Sequence, residues 1–381
     1  MKKLLTLLLA LVMVLSLGAC GSTPKGESED TKSEDTKSED TKSEDGDTYE
    51  LALITDLGTI DDKSFNQGSW EGLVQYAKEK DLTHKYYQPA EQSDDAYLAA
   101  IDLAVKGGAK VIVTPGFLFE VPIWTAQDHY PEVHFILVDG VPHDVDYTDF
   151  TIGKNVVGVN YAEEEAGFLA GYAAVKDGMT KLGFMGGMAV PAVVRFGYGF
   201  VQGAEHAAQE LGLDADSITI NYHYTGAFVA SPEAQAQAAS WYNNGIEVIF
   251  ACGGAVGNSV MAAAEQAGAK VIGVDVDQSG ESETVITSAM KGLKPSVYAC
   301  IKEYYSDSFP GGQTQVFNAA NDGVGLPMET SKFEHFTVAD YDKIFASLVD
   351  GSITLIRDTS GETKVKVTDI PVTSVVINEV D

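Results

Sequence analysis

From Tyr49 onward, short apolar, β-rich runs alternate with longer helical runs, and this alternation limits the fold more than any other feature. Leu51–Asp56 reads as a buried strand, and 64–80 as an amphipathic helix. Lys110–Gly116 and His134–Asp139 are further strands, with helices before and between them. The pattern resumes at Leu182–Gly187, Ile218–Tyr222, Val248–Cys252 and Val271–Asp275, separated by helical runs 163–177, 192–211, 232–243 and 256–267. Strands alternating with helices build parallel sheets covered on both faces. About ten strands are too many for one comfortable domain, so the expected fold is α/β with two lobes, each a doubly wound parallel sheet.

Chain order predicts where the lobes exchange. Val156–Asn160 is a strand feeding a new series of strand–helix units, a first crossing. Thr284–Ser288 reads as a return to the first lobe, and a third crossing falls within 318–328. The expected N-terminal lobe is therefore 48–159 plus 284–322, and the C-terminal lobe 160–283 plus 323–381. A hinge of three segments leaves a cleft at the carboxyl ends of the strands, where open α/β sheets bind ligands.

The preceding residues read as an address. Residues 1–19 form a signal peptide: Lys2 and Lys3, then an apolar run from Leu4 to Leu17. That run is shorter than the roughly 20 residues of a spanning helix. It ends Leu17-Gly18-Ala19-Cys20, which resembles the lipobox of bacterial lipoproteins, where the Cys thiol is diacylated and becomes the new N-terminus. A soluble export signal with a chance Cys is the alternative. Two acyl chains suffice for stable anchoring. Residues 20–47 then read as a disordered acidic tether, because the repeated Ser-Glu-Asp-Thr-Lys of 28–45 has nothing to bury. The expected location is the outer face of the cell membrane, held by lipid.

Several function classes drop out. Lys and Arg total 25 against 56 Asp and Glu, a net charge of −31, which repels phosphate backbones and removes nucleic acid as a partner. Cys20, Cys252 and Cys300 are too few for a disulfide scaffold, and the last two sit in apolar runs as core residues. The chain has no P-loop and no Gly-x-Ser-x-Gly nucleophile elbow. Gly253-Gly254-Ala-Val-Gly257 lacks the spacing of a dinucleotide loop. No His-x-x-x-His pair suggests zinc. Asp275-Val-Asp277-Gln-Ser279-Gly280 opens like a calcium loop, but Ile286 stands where the bidentate Glu belongs. No cofactor and no catalytic residue is expected.

What remains is a set of polar and aromatic residues at strand exits. Asp56 ends the first strand. Asp61 and Asp62 precede the first helix as caps, and Phe65 and Asn66 fall in its first turn, at the cleft end. Asp139 ends another strand, and Arg195-Phe196 begin a long helix of the second lobe. Gly253 permits close backbone approach, Asp275 ends the last strand of the second lobe, and Lys291 follows the return strand. Singly, each also fits a cap or a surface charge. Together they converge on one cleft.

These residues carry a resemblance. Asp56-Leu-Gly, Asp62-Lys-Ser-Phe-Asn-Gln67, Gly273-Val-Asp-Val-Asp-Gln278 and Thr287-Ser-Ala-Met-Lys291 are similar to the basic membrane protein family. So are Glu165-Ala-Gly-Phe-Leu-Ala-Gly171, Gly183-Phe-Met-Gly-Gly187 and Phe196 with Gly199-Phe200. Members are lipoprotein substrate-binding proteins of ABC transporters that bind purine nucleosides. The resemblance spans residues 49 to 350. It implies a two-lobed fold of the type I periplasmic-binding-protein class, a purine nucleoside ligand and an ABC permease as partner. It also implies that Phe65 and Phe196 sandwich the base, Asn66 and Asp139 face the base edge, and Asp275 accepts from ribose hydroxyls. Gly253 and Lys291 lie nearby, and Asp56 at the first strand's end. Thr59 departs from a stretch that is usually richer in Gly, and Met188–Val194 does not align.

Three rivals stay open. A sugar or polyol receptor and a ligand sensor would use the same fold. An enzyme such as a nucleoside hydrolase would want clustered acids around a metal, for which Asp275 with Asp277 is the one candidate pair.

Overall fold

The computed structural model describes residues 48–380, apart from Leu57, Asp358, Gly361, Glu362 and Val365. The expected signal peptide, Cys20 and the tether lie outside the described residues.

The chain runs β1 (Leu51–Ile54), α1 (Phe65–Lys80), β2 (His84–Tyr87), α2 (Asp94–Lys106), β3 (Val111–Pro115), α3 (Glu120–His129), β4 (His134–Val138) and β5 (Val156–Tyr161). It continues with α4 (Glu163–Lys176), β6 (Lys181–Gly186), α5 (Pro191–Leu211), β7 (Ile218–Tyr224), α6 (Pro232–Asn243), β8 (Val248–Cys252), α7 (Val256–Ala267), β9 (Lys270–Asp275) and β10 (Val285–Lys291). Then come α8 (Leu293–Tyr305), β11 (Gln313–Phe317), β12 (Val324–Gly325), α9 (Val338–Val349), a small ladder of β13 (Thr359–Ser360) and β14 (Thr363–Lys364), and β15 (Val375–Glu379).

Two large sheets result. One has the order β11-β5-β4-β3-β1-β2, all parallel; the other has the order β12-β10-β9-β8-β6-β7-β15, parallel except for the short β12. Both are buried on two faces, which explains why their central strands are continuous apolar runs. In β1, Leu51 and Leu53 join Leu73, Tyr76 and Ala77 of α1, while Ala52 and Ile54 join Tyr97, Ile101 and Ile123 on the other face. The second sheet is covered by α4 and α5 on one side and by α6 and α7 on the other.

The chain passes between sheets between β5 and α4, between β10 and α8, and between β11 and β12. The second passage corrects the sequence reading. β10 pairs with β9 in the second sheet, so Thr284–Ser288 does not return to the first lobe. The return follows Lys291, where α8 packs on α1 and β11 joins β5.

Helices α4 and α5 approach almost backbone to backbone. A Cβ on Gly167 would stand 2.0 Å from Phe196 O, and one on Gly199 2.0 Å from Glu164 O. Gly171 and Gly203 are equally close to Phe200 O and Phe168 O, at 2.1 and 2.0 Å. The glycines of the 165–171 and 196–203 motifs are thus a packing surface, and they set where Phe196 stands.

Candidate functional site

The site is built from strand exits. Asp139, one residue past β4, and Asp275, the last residue of β9, both take left-handed backbone conformations, with φ 57° and 67°. Asp adopts this region more readily than most residues. Lys291 closes β10, and its ammonium is the centre of the cluster. It pairs with Asp139 Oδ2 and lies 3.7 Å from Glu163 Oε1 and 3.6 Å from Asp275 Oδ1. The same nitrogen stands 4.8 Å from the ring centroid of Phe65, 5.3 Å from that of Phe196 and 5.5 Å from that of Tyr161. These are cation–π distances.

Three carboxylates thus face one ammonium in a nearly closed space: Lys291 is 5 % exposed and Glu163 1 %. A second cation adjoins, since Arg195 Nη1 lies 3.5 Å from Glu163 Oε2. Burial pushes the Asp139 carboxyl up to about 7, with Lys291 opposing and Glu163 adding to the rise. Burial raises Glu163 as well, against Lys291 and Arg195. Lys291 is held above its usual value, because Asp139, Asp275 and Glu163 outweigh the burial that opposes its charge.

Phe65 opens α1, and Asp62 fixes that helix start. Its carboxylate accepts from the backbone N–H groups of Ser64, Asn66 and Gln67 at 2.9, 2.9 and 3.0 Å, a helix cap as the sequence suggests. Asn66 Nδ2 donates to Asp56 Oδ1 at 3.1 Å, and Asp56 also accepts from Gly58 N–H at 2.6 Å. Among the described residues, Asn66 Oδ1 and Asp139 Oδ1 are buried with no hydrogen-bond partner. Two further bonds tie the lobes beside the cluster. Ser64 Oγ donates to Asp275 Oδ2 at 2.5 Å, and Gln278 Nε2 to Lys63 O at 2.8 Å.

Of the residues picked from sequence, Phe65, Asp139, Phe196, Asp275 and Lys291 meet at one centre, with Asp56 and Asn66 as an adjoining pair. Gly253 makes its contact elsewhere: it packs on Gly187, where a Cβ would stand 2.6 Å from Gly187 N. Glu163 and Tyr161 were missed. Acids in the first turn of a helix ordinarily complement its dipole at the surface. The clue was the small and apolar run 166–175, which buries α4 on all sides and its first turn with it. Asp277, the other half of the metal candidate, turns away to Ser279 N–H and Thr330 Oγ1. Among the described residues, no three His, Cys, Asp or Glu side chains group to hold a metal ion. Burial pushes the Cys252 thiol well above its usual value and that of Cys300 to about 12, as expected of core thiols. A groove of about 470 Å³ lies apart from the cluster, lined by Tyr76, Lys80 and Leu82 on one side and Tyr298, Lys302 and Tyr305 on the other.

Two doubly wound lobes joined by three crossings define the type I periplasmic-binding-protein fold, with a polar, aromatic centre at the facing strand ends. Solved structures agree on the fold. A solute-binding protein of an ABC transporter system from Aeropyrum pernix superposes with a TM-score of 0.65 at 24% identity, over 80% of this chain and 87% of its own. One from Conexibacter woesei gives 0.64 at 21%, over 81% and 99%. The chain belongs to the Bmp family of PnrA-like ABC transporter substrate-binding proteins, whose family model matches residues 49–353. The ABC transporter nucleoside-binding protein BmpA of Lactococcus lactis is 30% identical over 80% of this chain and 88% of its own length. Basic membrane protein D of Borreliella burgdorferi is 30% identical over 81% and 88%. The family binds substrates for transport, so this chain is a binding protein and not an enzyme.

Proposed function

We propose that the chain is a lipid-anchored receptor that captures a purine nucleoside between its lobes and delivers it to an ABC permease. The observation that carries this reading is the convergence on Lys291 of two phenylalanine faces and three carboxylates drawn from both lobes. A purine has two π-faces for Phe65 and Phe196, and base–aromatic stacking is worth about 1–3 kcal/mol. Ribose hydroxyls donate, and Asp275 accepts from them with the strength of a charged partner. The unpartnered acceptors Asn66 Oδ1 and Asp139 Oδ1 suit donors on the base edge, with Asp56 holding the Asn66 amide in place. Lys291 balances the acids.

The excess of carboxylates disfavours phosphate, so a neutral nucleoside fits better than a nucleotide. The relative from Lactococcus lactis, named for nucleoside binding, supports the same class. Closure of the two lobes about the three-segment hinge would enclose the ligand. Acylated Cys20 would keep the receptor at the outer membrane face, with residues 20–47 as its tether.

Thermal unfolding of residues 47–381 tests the reading. A purine nucleoside at a hundredfold excess over its Kd should stabilise the protein by about 2.7 kcal/mol. A rise in Tm with ribose or galactose but not with nucleosides would move the function to a polyol receptor.

A further inference from the structure

The loop between β4 and β5 carries the densest exposed apolar surface among the described residues. Val145 is 71 % exposed, Tyr147 67 % and Phe150 51 %. Three of the ten exposed large apolar side chains therefore fall within six residues, where isolated ones are normal on any surface.

This loop is built, not slack. The Asp144 carboxylate accepts from Thr148 N–H at 2.6 Å, Asp149 N–H at 3.0 Å and Thr148 Oγ1 at 2.5 Å. Asp149 in turn accepts from Thr151 N–H and Oγ1. Tyr147 holds φ at 56°, where a bulky side chain is strained, and its ring stacks on buried His143 at 4.0 Å. Aromatic rings held rigidly in solvent lose little freedom on docking, and such rings dominate interface energetics.

Its position and charge narrow the partner. The loop leaves the carboxyl end of β4, two residues after Asp139. Glu120 anchors it, accepting from Val141 N–H at 2.8 Å and lying 3.2 Å from His143 Nε2. Burial raises the Glu120 carboxyl, opposed by Val141 N–H, by His143 and, least, by Arg195 at the start of α5 on the second lobe. The apolar patch thus stands on the rim of the cleft. Asp144, Asp146 and Asp149 flank its rings, and no Lys or Arg occurs from 141 to 153. Anionic lipid and a second copy of the same loop would both be repelled.

We infer that loop 143–151 docks the protein onto its membrane permease, the Tyr147 and Phe150 rings entering an apolar recess rimmed by Lys or Arg. The proposal rests on the transporter reading above, and not on which solute is carried.

Photo-crosslinking of the full lipid-anchored chain in membranes of cells that make it tests this. Cys252 and Cys300 are buried, so a benzophenone maleimide will label an introduced thiol at Val145→Cys or Tyr147→Cys. Irradiation should join both sites to a polytopic ABC permease subunit, identified by mass spectrometry. Leu103→Cys on α2 should give no such adduct, and adding Asp146→Lys should lower the yield at least tenfold. Adducts only to lipid, only to a second copy, or equally from position 103 would overturn the proposal, as would none at all. Calorimetry on the same proteins separates the two readings. Permease adducts without nucleoside binding would sink the nucleoside assignment and leave the docking surface standing.

Discussion

Lys291, the last residue of β10, pairs with Asp139, one residue past β4, and so joins the second sheet to the first at the heart of the cleft. The side chains of Lys291 and Asp139 are only 2 % and 8 % exposed, and two more carboxylates share the same ammonium. Removing one partner of a buried pair leaves uncompensated charge, which is worse than removing both. Lys291→Met should therefore destabilise the protein by about 3–5 kcal/mol in urea unfolding at neutral pH. Adding Asp139→Asn should recover part of the loss. Equal stability of Lys291→Met and wild type would mean that the pair does not bridge the sheets.

The two aromatic walls should behave differently. Phe65 is half-buried, whereas Phe196 is 1 % exposed and meets Phe250 edge-on at 5.8 Å. Phe65→Ala should weaken nucleoside binding by about 1–3 kcal/mol with a smaller effect on folding. Phe196→Ala should also cost about 3–5 kcal/mol of stability, because it opens a core cavity. Calorimetry paired with urea titration distinguishes them, and unchanged affinity in Phe65→Ala would remove the stacking model.

Stability should fall as pH rises through neutrality. Burial lifts Asp139 to about 7, while the unfolded chain releases that proton near ~3.9. Between those values the folded state alone holds the proton. The contribution is fully present below the unfolded value and is lost as pH climbs through the folded one. Unfolding free energy should drop by about 2 kcal/mol between pH 5.5 and 8 from this group, and Asp139→Asn should flatten that slope. A slope unchanged in Asp139→Asn would place the proton elsewhere.

Helix packing should be coupled to binding at one glycine more than at another. A Cβ on Gly167 meets Phe196 O at 2.0 Å, so Gly167→Ala must push α5 and its Phe196 away. Gly203→Ala strikes Phe168 O, two turns further along α5. Both should lose about 1–3 kcal/mol of stability or more from overpacking. Only Gly167→Ala should also lose affinity, as read by calorimetry below each variant's unfolding temperature.

Much of this was legible in the sequence, because the buried strands announce themselves. Runs such as Leu51–Ile54 and Val248–Cys252 are apolar on both faces, and the residues just past them are the site. Less legible were the half-exposed edge strands. His-Lys-Tyr-Tyr in β2 and Gln-Thr-Gln-Val-Phe in β11 carry no apolar run. The lobe of β10 is hidden for a different reason: an apolar strand records that it is buried, not which sheet it joins. Glu163 was hidden because an acid at a helix start usually faces water, and only the burial of all of α4 makes it a partner of Lys291.

The most direct test is a calorimetric titration of residues 47–381, unfolded and refolded to strip carried ligand. Adenosine, guanosine, inosine, uridine, ribose and galactose would be added in turn, and the mixtures assayed afterwards for products. Tight binding of a purine nucleoside, weak or absent binding of ribose and galactose, and unchanged nucleoside after long incubation is the predicted result. Binding of a sugar alone, or of none of the six, would contradict it.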